Sequence, residues 1–107
     1  MKVLGVTACP TGVAHTYMAA EALTKTCKSR GFEVKVETQG SIGIENEITK
    51  SDLEGADVVI LSNDIAIKGK ERFNGIPVVN VKIGDIIKNT NPLLDKVIAH
   101  LEKKKGN

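Results

Sequence analysis

Short runs of aliphatic and β-branched residues alternate along the chain with stretches of helical spacing. Apolar runs at residues 3–7, 32–38, 58–62 and 77–81 predict four strands. Residues 58–61 are four consecutive apolar residues, which is typical of a central parallel strand buried on both faces. At residues 32–38 valines alternate with charged residues, which predicts a strand near an edge of the sheet.

The segments between these runs predict helices and one long loop. Residues 13–30 favour a helix, and the apolar positions between residues 93 and 101 form a helical stripe that begins just after a proline. A capping-box pattern at residues 49–52 opens a short helix, and residues 64–73 predict another short helix with loops. Residues 39–47 contain glycine, serine and asparagine and predict a loop.

Strands separated by helical or irregular crossovers, with no linker or repeat between them, predict one domain over residues 1–107. We expect an α/β fold with a single open four-stranded parallel sheet, strand order 2-1-3-4 and helices on both faces. In this order the first strand lies between the second and the third.

Composition disfavours several functional classes. Aromatic residues make up 3% of the chain, too few for a module that stacks single-stranded nucleic acid on aromatic side chains. The net charge of +2 is too small for a strongly basic nucleic-acid-binding domain. No aliphatic run approaches the ~20 residues of a membrane helix, and the first residues lack the pattern of a signal peptide. We therefore expect a cytoplasmic protein that binds no nucleic acid and does not insert into a membrane.

The polar loop after the first strand has the residue types of a reactive site. Ligands bind beyond the carboxyl ends of parallel strands, and residues 9–16 lie at that edge of the predicted sheet. Gly12 permits unusual backbone angles, and the next helix points its N-terminal amides towards Cys9, which together form an anion cradle. The same field favours the thiolate of Cys9. This arrangement predicts phosphoryl transfer through a phosphocysteine.

The chain has two cysteines, and they differ in setting. The alternative interpretation of Cys9 is a small residue that fills the sheet edge, since free cysteines are commonly buried and inert. Cys27 falls late in the predicted helix, away from that edge, and we expect it to serve packing. The pair has neither the spacing of a zinc site nor a Cys-x-x-Cys redox motif, and we predict no metal and no cofactor.

Three segments resemble a known family. Residues 7–20 read TACPTGVAHTYMAA. This segment resembles the phosphorylation-site signature of the fructose-type IIB family, which is part of the bacterial phosphoenolpyruvate-dependent sugar phosphotransferase system. A second signature of that family resembles residues 36–41, which read VETQGS. Further family positions match Asp64, Arg72 and Phe73. The resemblance extends over essentially the whole chain.

The resemblance implies a phosphoryl relay. A phosphohistidine on a IIA domain would donate its phosphoryl group to Cys9, which would pass it to a sugar bound by the membrane-embedded IIC transporter. The expected acceptor is fructose, which becomes fructose 1-phosphate, and mannose or a related sugar stays open. The chain would then be a protein-phosphohistidine–sugar phosphotransferase that reaches the inner face of the membrane only through IIC.

A low-molecular-weight tyrosine phosphatase is the competing hypothesis. Those enzymes hold a cysteine in a similar cradle, followed at fixed spacing by Arg and then by Ser or Thr. At that spacing from Cys9 this chain has His15 followed by Thr16. Arg clamps the oxygens of a transferring phosphoryl group in a bidentate manner and His cannot. Neither Asp85 nor Asp95 precedes a proline, as the acid of a phosphatase does, so the sequence favours a carrier over a hydrolase.

Two groups of residues are candidates for the site. The predicted phosphate-binding loop continues from Cys9 through Pro10, Thr11, Gly12, Val13, Ala14, His15 and Thr16. Hydroxyl groups of Thr11 and Thr16 could bind the phosphate, whereas His15 could face the phosphate, face a partner or cap the helix. Residues near the ends of the second and third strands could shape a docking surface for the partners: Glu37, Gln39, Ser41 and Asp64.

Overall fold

The computed structural model describes residues 1–8, 13–40, 43–62 and 67–105, which form one sheet with helices packed on it. The elements follow in the order β1 (Lys2–Ala8), α1 (Val13–Ser29), β2 (Glu33–Gly40), β3 (Gly43–Glu45), α2 (Lys50–Leu53), β4 (Val58–Ser62), a 3₁₀ turn (Lys70–Phe73), β5 (Val78–Val81), α3 (Ile83–Lys88) and α4 (Thr90–Lys105).

The sheet has five strands in the order β3-β2-β1-β4-β5. Strand β1 pairs in parallel with β2 and with β4, and β5 pairs in parallel with β4. The third and fourth predicted strands correspond to β4 and β5, so the order predicted for the parallel strands is confirmed. Because β1 is flanked on both sides, its carboxyl end lies in the middle of the sheet edge.

The prediction of a four-stranded, all-parallel sheet is wrong, because β3 adds a fifth, antiparallel strand. The segment predicted as a loop holds the end of β2 and all of β3, with Gln39 opposite Ile44 and Gly40 opposite Gly43. Gly43 has a φ of 110° and Asn46 a φ of 52°. Glycine and asparagine adopt such positive angles more readily than other residues. The residues that indicated a loop therefore permit a hairpin.

The helices agree with the sequence pattern in part. Helix α1 confirms the predicted long helix, and the capping box at Thr49 and Asp52 opens α2 as expected. Helix α4 begins at Thr90, so that Pro92 lies in its first turn, where the missing N–H costs no hydrogen bond. Helix α3 was not predicted, since it buries only Ile83 and Ile86. The predicted helix at residues 64–73 contains the 3₁₀ turn, and residues 64–66 lie outside the described residues.

Two hydrophobic layers cover the faces of the sheet. On one face, α1, α3 and α4 bury side chains such as Leu23, Ile86 and Leu94 against the strands. On the other face, Phe73 of the 3₁₀ turn and Leu53 of α2 pack against the sheet, which confirms helical elements on both faces. A Cβ on Gly5 of β1 would lie 2.8 Å from Leu23 Cδ2. The glycine therefore lets α1 approach β1 closely.

Candidate functional site

The carboxyl edge of the sheet brings the ends of β1, β2 and β4 together. Ala8, the last residue of β1, lies beside Gln39 of β2. The backbone pairing of β1 with β4 ends at Val6 and Leu61. Beyond this point the buried side chain of Ser62 connects the two strands. Ser62 Oγ accepts a hydrogen bond from the Ala8 N–H at 2.9 Å and donates one to the Ala8 carbonyl at 3.1 Å. The residue that precedes Cys9 is thus held by both of its backbone groups.

Several predicted site residues lie outside the described residues: Cys9, Pro10, Thr11, Gly12, Ser41 and Asp64. The structure does define both sides of the cysteine loop, with Ala8 before it and Val13 at the start of α1 after it. Ala14 and His15 follow in the first turn of α1, and His15 is exposed. This first turn has no acidic residue. An anion near the helix N-terminus therefore meets the positive end of the helix dipole without a competing carboxylate from that turn.

Three buried threonines lie on the α1 side of the sheet next to the cysteine loop. Thr7 pairs with Thr38 across β1 and β2, and Thr7 Oγ1 donates a hydrogen bond to the Thr16 carbonyl at 3.1 Å. The Oγ1 atoms of Thr16 and Thr38 have no hydrogen-bond partner among the residues that the structure describes. A buried hydroxyl without a partner is costly, so each of these two hydroxyls requires a hydrogen-bond partner beyond the described residues.

Glu37 carries a buried ion pair with Arg72. The side chain of Glu37 is 0% exposed, and Arg72 donates from Nη1 to Oε1 at 2.7 Å and from Nη2 to Oε2 at 2.6 Å. The Ile48 N–H and Gln39 Nε2 donate to the same carboxylate at 2.9 and 2.7 Å. Burial alone raises the pKa of Glu37, but these hydrogen bonds and the charge of Arg72 outweigh it and lower the pKa below its usual value. The carboxylate is therefore charged at neutral pH and turned inward.

Gln39 ties the segment after β4 to strand β2. Its Nε2 donates to the Lys68 carbonyl at 2.9 Å, and its Oε1 accepts from the Lys68 N–H at 2.9 Å. Arg72 strengthens this connection, because its Nε donates to the Gly69 carbonyl at 2.9 Å and its guanidinium lies 4.8 Å from the centroid of the Phe73 ring. From the sequence, a place near the functional edge of the sheet and a solvated helix face were both open for Arg72, and neither interpretation included its ion pair with Glu37.

The β2–β3 hairpin is attached to the first turns of α1. Tyr17 donates its hydroxyl hydrogen bond to the Glu45 carboxylate of β3, and this bond raises the pKa of Tyr17. Tyr17, Met18 and Ile44 keep 37%, 50% and 42% of their surface exposed. The contact therefore joins two segments that carry exposed apolar side chains, the start of α1 and the β2–β3 hairpin.

Cys27 lies in the core between α1 and the sheet, as the sequence predicts. The thiol is free and fully buried. Burial raises the pKa of Cys27 to about 11, although the charge of Arg30 acts in the opposite direction. A thiol with so high a pKa is protonated and unreactive at neutral pH, which fits packing and not chemistry.

Two properties of the described residues bear on metal and membrane chemistry. Among them, no three His, Cys, Asp or Glu side chains cluster in a way that could hold a metal ion. None of the helices in the described part of the chain combines the length and apolarity needed to cross a membrane.

Comparison with known proteins identifies the family. The family described as "PTS system, Lactose/Cellobiose specific IIB subunit" matches residues 4–96. The chain is 58% identical over 100 residues to the PTS system fructose-like EIIB component 2 of Escherichia coli (strain K12), covering 94% of both chains. It is 45% identical over 94 residues to the 2-O-alpha-mannosyl-D-glycerate-specific EIIABC component of the same organism, covering 88% of this chain and 14% of that relative.

A solved structure agrees with these matches. The solution structure of the Enzyme IIB subunit of the PTS system from Escherichia coli K12 superposes with a TM-score of 0.87 at 36% sequence identity. The match covers 97% of this chain and 96% of that structure. These similarities favour the carrier over the phosphatase. The chain belongs to the IIB family of the sugar phosphotransferase system, and it is a phosphoryl carrier within that system.

Proposed function

We propose that Cys9 accepts a phosphoryl group from a phosphohistidine on a IIA partner and transfers it to a fructose-like sugar held by a IIC membrane transporter. The observation that carries this proposal is the position of Cys9 in the sequence. It directly follows Ala8 at the carboxyl end of the central strand and shortly precedes the N-terminus of α1. That is where a parallel sheet binds ligands and where helix amides favour a thiolate and an anion.

The chemistry consists of two displacements at phosphorus. The thiolate of Cys9 attacks the phosphorus, the S–P bond forms, and the P–N bond breaks with its electron pair returning to the imidazole of the donor. A sugar hydroxyl then attacks the phosphorus and loses its proton to water, while the S–P bond breaks and its electron pair returns to sulfur to regenerate the thiolate. In both steps the amides of α1 stabilise charge on the phosphoryl oxygens, and the Thr16 hydroxyl, which has no partner among the described residues, can donate to one of them.

The partners and the sugar follow from the names of relatives. The relative that is 58% identical is called fructose-like, which supports fructose or a similar sugar. Another relative joins A, B and C components in one name, which supports IIA and IIC as the partners of this chain. We place the chain in the cytoplasm, because its thiol must stay reduced to accept phosphate, and at the inner face of the membrane while the sugar reacts.

The docking surface would surround the cysteine loop, because donor and acceptor must both reach the sulfur. Exposed apolar side chains of Tyr17, Met18 and Ile44 suit a small transient interface. The part of Ser41 and Asp64 in this surface stays a prediction. Glu37 would shape it from the interior through its hydrogen bonds with Gln39 and Arg72.

The test is phosphoryl transfer from phosphorylated IIA, with the modified residue located by mass spectrometry. Wild type and the matched control Cys27→Ala should accept phosphate and pass it to sugar with membranes carrying IIC. Cys9→Ser should accept none, and the proposal fails if this variant transfers phosphate as well as wild type. Steady hydrolysis of p-nitrophenyl phosphate that depends on Cys9 and needs no partner would instead support the hydrolase.

A further inference from the structure

Ser62 and Lys68 are attached to the sheet on opposite sides of β1. Ser62 ends β4 and binds the backbone of Ala8. Lys68 is bound by Gln39 of β2, the strand on the opposite side of β1. Gln39 is itself the neighbour of Ala8 in the β1–β2 pairing. The two attachment points therefore lie on either side of the residue that precedes Cys9.

The amide of Gln39 has a single orientation that satisfies all its contacts. It donates to the Lys68 carbonyl and accepts from the Lys68 N–H, so one side chain satisfies both backbone groups of Lys68, as the backbone of a paired strand does. Its other N–H goes to Glu37 Oε2 at 2.7 Å. A flipped amide would place a carbonyl oxygen against the carboxylate and against the Lys68 carbonyl. The Glu37–Arg72 ion pair thus fixes the direction in which Gln39 holds Lys68.

The contact lies on the face of the sheet opposite α1. Val36 packs with the side chains of α1, whereas its neighbour Glu37 faces Arg72 and the layer that contains Phe73. Side chains alternate along a strand, so Gln39 shares the face of Glu37. The end of β1 is therefore bounded by α1 on one face and by the backbone held by Gln39 on the other.

We infer that Gln39 is a positioning residue for phosphoryl transfer. It fixes the Lys68 backbone beside the end of β1 and so maintains the alignment of the Cys9 sulfur with the docked donor. The inference rests on the proposed role of Cys9. A misplacement of about 1 Å can slow a reaction about 100-fold, so the loss of this contact should reduce the rate at saturating donor and leave donor affinity nearly unchanged.

Gln39→Met tests the inference, because methionine preserves the length of the side chain and removes its three hydrogen bonds to Glu37 and Lys68. Single-turnover transfer from phosphorylated IIA is measured over a range of donor concentrations and normalised to the folded fraction. We expect the saturated rate to fall at least ~10-fold and the half-saturating concentration to change less than ~2-fold. Glu33→Met, at an exposed position of the same strand, is the matched control and should behave as wild type.

Gln39→Glu gives a second readout that a purely structural role would not produce. At neutral pH the introduced carboxylate cannot donate to the Lys68 carbonyl and is repelled by Glu37, so transfer should be slow. As the pH falls and the introduced group gains a proton, it regains one donor, and the rate relative to wild type at the same pH should rise.

An unchanged saturated rate in Gln39→Met would overturn the inference. A loss confined to the half-saturating concentration would also overturn it, since Gln39 would then be a docking contact. A pH-independent rate ratio for Gln39→Glu would count against it as well. Failure of the proposed function is distinguishable, because it appears as phosphate acceptance by Cys9→Ser whatever the Gln39 variants do.

Discussion

Glu37→Gln removes the buried negative charge while keeping the shape of the side chain. The carboxylate accepts four hydrogen bonds, two at each oxygen. A glutamine amide has one oxygen and one NH₂ group, so in either orientation two of the four contacts bring donor against donor. Arg72 also loses its countercharge. We therefore expect a large loss of folding stability from a change of a single functional group.

The size of the loss follows from these contacts. Hydrogen bonds to a charged group contribute about 1.5–3 kcal/mol each, so losing two costs about 3–6 kcal/mol. The Arg72 side chain is 19% exposed, and water can solvate part of its charge. The partial exposure favours the lower end of this range of lost stability, about 3 kcal/mol. For a domain of this size the melting temperature should fall by about 12 °C.

The difference in folding stability between wild type and Glu37→Gln should depend on pH. The folded chain lowers the pKa of Glu37, so the ionised form stabilises the fold. This contribution is complete above the pKa of glutamate in the unfolded chain, about 4.3, and is lost as the pH falls through the lower pKa of the folded state. Because the introduced amide does not titrate, the advantage of wild type should shrink below pH ~4.

Urea unfolding followed by circular dichroism measures both effects. Wild type, Glu37→Gln and the control Glu33→Gln, which changes an exposed glutamate on the same strand, are compared at pH 7 and at descending pH. The control should match wild type. Equal stability of Glu37→Gln and wild type at pH 7 would refute the argument, and so would a difference that stays constant at low pH.

Two further predictions concern Ser62 and Cys27. Ser62→Ala leaves the buried Ala8 N–H and carbonyl without the hydroxyl that binds them. It should lower the free energy of unfolding in urea by about 2 kcal/mol and slow phosphate acceptance by Cys9. Unchanged stability would contradict the role of the hydroxyl. Cys27 is buried and its pKa is raised to about 11, so iodoacetamide at pH 7 should modify it only after the chain unfolds. Peptide mapping measures the modification, and rapid labelling of Cys27 in the folded chain would disprove the prediction.

The position of the parallel strands along the chain and the burial of β4 could be predicted because they depend on local patterns. The apolar run Val58–Ser62 is buried along its whole length, as expected for a strand covered on both faces. The strand–loop–helix arrangement around Cys9 likewise followed from residues adjacent in the sequence. Both features are encoded within a few neighbouring positions, where periodicity and turn residues are informative.

The polar network could not be predicted, because its partners are distant in the sequence. Alternation of valines with Lys35 and Glu37 predicted a strand near an edge of the sheet and gave no sign that Glu37 is buried. In the fold, Arg72 reaches Glu37 from 35 positions away and covers it. Periodicity shows which residues share a face but not what packs on that face. The hairpin through β3 was missed for a related reason, since glycines that permit a hairpin also permit an open loop.

The side chain of Ser62 marks the place where β1 and β4 cease to pair through their backbones. The strand that follows β1 in the parallel order is β2, on one side of this pair, whereas β5 follows β4 on the other side. Such a topological switch point opens a crevice at the edge of an α/β sheet without any residue being removed to make room. The connectivity of the strands therefore creates the cleft, and it does so at the end of β1, where Ala8 is held by the Ser62 hydroxyl.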